Sequence, residues 1–169
     1  MNDHRSETNI HGTQESEGPD MRAYLRFLGM ILSAGAVMYV VMYLNTYEVD
    51  HVYWSWTRFF MTMMSTATMA VIMLAFMRGM YRSRAANAAI VGGAVVVFAL
   101  GLWLVRSQAT IGDSAWMRAM IPHHSIAILT SERANLEDPR AQQLADEIIE
   151  AQEREIAEMK AILADLNSG

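Results

Sequence analysis

Within a few turns of chain, residues 113–130 place Met117, Met120, Pro122, His123 and His124. Read as a helix, Asp113, Met117, Met120, His124 and Ala127/Ile128 recur at spacings of three and four, so they share one face. Thioether and imidazole donors on one face suit a soft or borderline metal ion, copper first. His123 lies about 100° around the helix from His124, so an undistorted helix cannot aim both rings at one ion. Pro122 removes a backbone donor and crowds the carbonyl of Arg118. A kink there would bring the two imidazoles toward a common centre.

Composition narrows what surrounds this face. The chain has 169 residues, about one domain's worth. Hydrophobic residues make up 53% and are clustered, which points to membrane spans rather than a soluble globule. Cysteine is absent, which excludes disulfides, thiolate zinc sites and iron–sulfur clusters. Most of the 15 methionines read as apolar filler. A net charge of -5 argues against nucleic acid as a partner.

Three regions follow from the hydropathy pattern. Residues 1–21 are polar, with Gly12, Gly18 and Pro19, and read as a disordered cytoplasmic tail in which His4 and His11 are solvated. The tail lacks the apolar core and cleavage site of a signal peptide. Residues 22–106 hold three apolar runs, at about 27–44, 59–77 and 88–105. Each would rise about 27–29 Å as a helix, close to the hydrocarbon thickness of a bilayer. Arg26, Arg58, Arg78 and Arg106 sit at the edges, where long side chains snorkel.

Arg78, Arg82 and Arg84 lie between the second and third runs, whereas the first loop carries Glu48 and Asp50 and no Lys or Arg. The positive-inside bias therefore predicts a cytoplasmic N-terminus and an outward-facing segment after Val105. Tyr43, Tyr47, Tyr53, Trp54, Trp56 and Trp103 would form an outer aromatic belt. Gly29 with Ser33, Ala85 with Ala89 and Gly93, and Gly101 mark places where helix backbones can approach closely. Met69, Met73 and Met77 line one face of the second run. No His, Cys or acid accompanies them inside the bilayer, so they read as lipid-facing or packing residues rather than as a thioether ladder for cuprous ion.

Residues 107–169 form the outward domain. Asp113 or Ser114 can cap a helix running to about Asn135. The segment 137–140 breaks it, with Pro139 near the first turn of a helix from Arg140 to about Leu166. Leu144, Ile148, Ile149, Ile156, Met159, Ile162, Leu163 and Leu166 make its apolar stripe. The result is an αα-hairpin with too little core to stand alone. A second copy, the outer loop around His51 or a partner protein must cover it. Two hairpins would pair into a four-helix bundle, so a homodimer is expected. The fold class is thus all-α: three transmembrane helices followed by an extracytoplasmic hairpin.

The run from Asp113 through Trp116-Met-Arg-Ala-Met-Ile-Pro-His-His124 is similar to the signature of the domain of unknown function family 305. The later helix agrees, with Leu144-Ala-Asp-Glu-Ile-Ile149, Gln152 and Glu155-Ile-Ala-Glu-Met159 in order. The likeness covers roughly Gly112 to Leu166. It implies a helical, ferritin-like arrangement in an extracytoplasmic setting, and for some members copper binding and copper tolerance. This chain differs in carrying one hairpin rather than a full bundle, with three spans in front. Carried onto this sequence, the ligand candidates are Met117, Met120, His123 and His124, with Gln152, Glu155 and Met159 on the facing helix. The last three share one face at i, i+3 and i+7. Glu155 could instead orient a ligating imidazole through its second nitrogen. The plain alternative makes the methionines core residues and lets His123 and His124 hydrogen-bond to Glu155 and Gln152, fixing helix pairing without metal.

The function expected is therefore a copper-binding protein anchored in a bacterial-type inner membrane, with its C-terminal domain in the periplasm. Its partners would be the bilayer, a second copy and a copper-handling protein. The alternative is an interaction module whose His pair specifies packing. An enzyme ranks last. A ferritin-like di-metal oxidase needs carboxylates from several helices plus Glu-x-x-His motifs, and no such set is found. Ser125 follows His124 directly, a poor geometry for activating a nucleophile.

Overall fold

A computed structural model describes residues 21–168. The tail read as disordered, with His4 and His11, lies outside the described residues except for Met21, which opens the first helix. The elements are α1 (Met21–Val41), a 3₁₀ turn (Val49–His51), α2 (Trp56–Phe76), α3 (Arg84–Ser107), α4 (Asp113–Arg133) and α5 (Pro139–Ser168). No strand occurs among the described residues. Helices α1, α2 and α3, of 21, 21 and 24 residues, are long and apolar enough to cross a membrane.

Local chemistry sets most of the ends. Ser55 caps α2 by accepting from Arg58 N at 3.2 Å, and Ser83 caps α3 by accepting from Ala86 N at 3.3 Å. Gln108 closes α3 in the left-handed region at φ 52°. Asp138 precedes Pro139 at the first position of α5, and its carboxylate accepts from Arg140 N at 2.9 Å. At α4 the expected cap is displaced. Gly112 holds the N-cap position and no side chain bonds into the first turn, so Asp113 lies inside the helix. Its charge there complements the helix dipole. Helix α4 passes through Pro122 without ending.

Helix α2 packs between α1 and α3. Two glycines permit the contacts. A Cβ on Gly35 would lie 2.7 Å from Thr66 Oγ1, and one on Gly101 would lie 2.8 Å from Met64 Cγ and 3.3 Å from the Phe60 carbonyl. Gly101 was among the expected positions. Gly29 and Gly93 were also expected, but a Cβ there meets open space. Met69, Met73 and Met77 pack against a core of Phe27, Ile31, Ala70, Leu74 and Tyr81, as the packing reading had it.

Helices α4 and α5 form the hairpin around Met117, Ile121, Ile128, Ile156, Met159 and Leu163. Tyr53 of the α1–α2 loop adds to this core. The loop thus covers part of the hairpin within one chain. Arg58, expected to snorkel, is instead buried. Its guanidinium donates to the Met42 carbonyl at 2.6 Å and the Pro122 carbonyl at 3.4 Å, and stacks 4.3 Å over the Tyr43 ring. The start of α2 is thereby tied to the turn of α4 that carries the histidines.

Candidate metal site

The histidine pair divides between two environments. His124 points into the hairpin, with its side chain 14% exposed. Its Nδ1 is buried, makes no hydrogen bond and lies 3.5 Å from Glu155 Oε2 on α5. Burial pushes the imidazole below its ordinary pKa, Glu155 pulls the other way, and His123 adds a smaller downward push. The ring is therefore neutral at pH 7, the state in which imidazole binds metal. His123 is exposed. The two ring centroids stand 6.0 Å apart with their planes at 63°.

The other candidates lie on α4 and α5 of the same hairpin. Met117 and Met159 are buried in the hairpin core, 4% and 6% exposed, and Met120 packs against that core. Gln152 is half-buried, about one turn before Glu155. The structure therefore brings His124 and Glu155 together across the hairpin, places the methionines in or against the hairpin core, and leaves His123 toward solvent. Asp113 is exposed at the start of α4.

A second cluster lies where the α1–α2 loop meets the hairpin. His51 is buried, and its Nδ1 stands 3.0 Å from Ser125 Oγ. Ser125 Oγ also accepts from Tyr47 N at 2.7 Å. His51 Nε2 faces Glu48 Oε2 at 3.6 Å and Asp50 Oδ1 at 3.7 Å. Lys160 of α5 donates to Asp50 Oδ2 at 2.6 Å and holds that carboxyl below its ordinary pKa. Burial, then the Lys160 charge, push His51 down, while Asp50 and Glu48 pull it up. Ser125, dismissed as a nucleophile, is fully buried and serves as an anchor for the loop.

This cluster escaped the sequence analysis although Glu48-Val-Asp-His51 is itself a Glu-x-x-His run. The signal lay in a loop, where the helical periodicity used elsewhere has no meaning. In the 3₁₀ turn that forms there, residues three apart eclipse, which brings Glu48 and His51 to one edge.

Three apolar helices joined to a docked, histidine-bearing αα-hairpin define the class: an all-helical protein with membrane-compatible spans and a helical C-terminal domain. Residues 100–163, which take in the end of α3 and most of the hairpin, match the family model described as Domain of unknown function (DUF305). An uncharacterized protein of Acanthamoeba polyphaga mimivirus is 41% identical over 71 residues, 41% of this chain and 47% of the viral protein. The match thus spans about half the length of that relative. No solved structure matches the chain.

Proposed function

We propose that this protein is a membrane-anchored, extracytoplasmic metal-binding protein that captures copper on the Met/His face of its hairpin. It is not an enzyme in this reading. The observation that carries the reading is the buried Nδ1 of His124. A polar atom removed from water without a hydrogen bond costs about 1–3 kcal/mol, and a metal ion would remove that cost. Glu155 stands close enough to ligate or to orient the ring, and in this reading Met117, Met120 and Met159 of the same hairpin would supply the soft donors, with His123 and Gln152 as further ligands. Imidazole with thioethers favours copper, the cuprous state in particular. The arginine bias of the loops supports a cytoplasmic N-terminus and a periplasmic hairpin in an inner membrane. A second copy would cover the rest of the hairpin stripe, and a copper-handling protein would receive the ion.

Binding of cuprous ion by the full chain in detergent micelles, by competition with a chromophoric chelator, tests this. His123→Ala/His124→Ala should lose the site. Equal binding by wild type and double variant, or none above buffer by either, would overturn it. A structural role is the second reading, favoured by the deep burial of Met117 and Met159 in the hairpin core. On that reading the double variant loosens the hairpin and copper leaves the melting temperature unchanged.

A further inference from the structure

We infer that Glu48, Asp50 and His51 form a second metal site, separate from the hairpin face, that takes a borderline divalent cation such as zinc. Each residue offers one donor atom, and the three atoms lie within 4.8 Å of one another. Two exposed carboxylates alone would carry little weight. His51 changes this, because it is 5% exposed and its Nε2 is aimed between the carboxylates without a hydrogen bond to either. Its other nitrogen is held by Ser125, which is itself held by the Tyr47 amide. An imidazole oriented through its second nitrogen toward an open position is how metal-ligating histidines are arranged.

The distances agree with this use. Bonds of about 2.0–2.2 Å in a tetrahedral site place donors roughly 3.3–3.6 Å apart. The separations of 3.6 and 3.7 Å from Nε2 to the two carboxylates need only a slight contraction. One nitrogen and two oxygens suit zinc or a similar divalent ion and disfavour cuprous ion, which prefers sulfur. Without metal, Ser125 Oγ accepts from Tyr47 and can donate to Nδ1, leaving the imidazole proton on Nε2. With metal, that proton moves to Nδ1, and Oγ accepts it with its second lone pair while its own hydrogen rotates away.

Lys160 gives the site a distinctive property. Its ammonium stands 2.6 Å from Oδ2 of Asp50, one of the proposed ligands. It acts as a resident cation that an incoming metal must tolerate or displace. Removing it should strengthen metal binding, although it removes an ion pair.

The test is zinc competition on the full chain in micelles, in the His123→Ala/His124→Ala background so that the loop site is isolated. That background should retain one zinc per chain. Glu48→Gln and Asp50→Asn should each weaken binding about tenfold or more, and Ser125→Ala should weaken it to a similar degree. Lys160→Met should tighten it several-fold. Loose folding cannot produce that tightening, and Glu48 is exposed enough for its variant to fold. Absence of zinc in the background variant, unchanged affinity in Glu48→Gln and Asp50→Asn, or no tightening in Lys160→Met would overturn the inference. The outcome is independent of cuprous binding at the hairpin, because no ligand is shared.

Discussion

At the scale of single residues, what matters is which nitrogen of each half-hidden imidazole has a partner. His51 has Ser125 on Nδ1, whereas the buried Nδ1 of His124 makes no hydrogen bond. Evolution toward stability alone would replace an unsatisfied polar atom at a helix–helix contact with an apolar one. His124→Leu therefore separates function from packing. If the ring is kept for a metal, this variant should lose cuprous binding and, without metal, melt at a higher temperature than wild type, by about 1 kcal/mol of stability. If the ring is kept to specify pairing through Glu155, the same variant should melt lower. Thermal melts in micelles without added metal read the sign directly.

At the scale of elements, the α1–α2 loop is fixed to the hairpin by Tyr47 and His51 on Ser125, by Asp50 on Lys160, and by the Tyr47 hydroxyl on Glu132 at 3.2 Å. Its pH dependence follows from two shifts of the same sign, set in different pH ranges. His51, like His124, titrates below its ordinary value in the folded chain, so folding disfavours the bound proton. Stability is complete above the unfolded value of about 6.5 and drains as pH falls below it toward the folded value. Asp50, lowered by Lys160, contributes stability above the ordinary carboxylate range and loses it only in stronger acid. The melting temperature should therefore begin to fall as pH drops below about 6.5, and less steeply in His51→Gln. Equal slopes for the two proteins would show that His51 does not govern the loop. How far such contacts are legible in the sequence depends on their range. Helices α1 to α3, the break near Pro139 and the hairpin stripe all follow from local patterns, and so does the separation of His123 from His124 around α4. The partners of Arg58 do not, because the Met42 and Pro122 carbonyls lie 16 and 64 residues away, and an arginine beside an apolar run normally reaches for water. The loop around His51 is among the covers the sequence offers for the hairpin, but the bond from His51 to Ser125 is not legible, because Ser125 is 74 residues distant and carries no pattern that announces it.

At the scale of the whole molecule, α2 and the loop are joined to α4 through Arg58 and Ser125 and the loop to α5 through Lys160, so the hairpin is seated on the spans rather than tethered by its linker alone. This seating uses the side of the hairpin that bears Ser125 and leaves much of α5 open. Leu144, Ile162 and Leu166 remain 57%, 42% and 52% exposed, and Trp116 on α4 is 50% exposed. Residues 18 and 22 positions beyond Leu144 fall five and about six turns on, so these three leucine-type side chains lie along one flank of α5. Apolar flanks of this kind on a small helical domain are covered by association, and a second hairpin laid against the first gives the four-helix arrangement that one hairpin lacks. The full chain in mild detergent should then run as a homodimer, and Leu144→Glu/Leu166→Glu should convert it to the protomer without changing helix content. A dimer that survives both substitutions would place the contact among the spans instead, and a protomer already in the wild type would show that the loop is all the cover the hairpin needs.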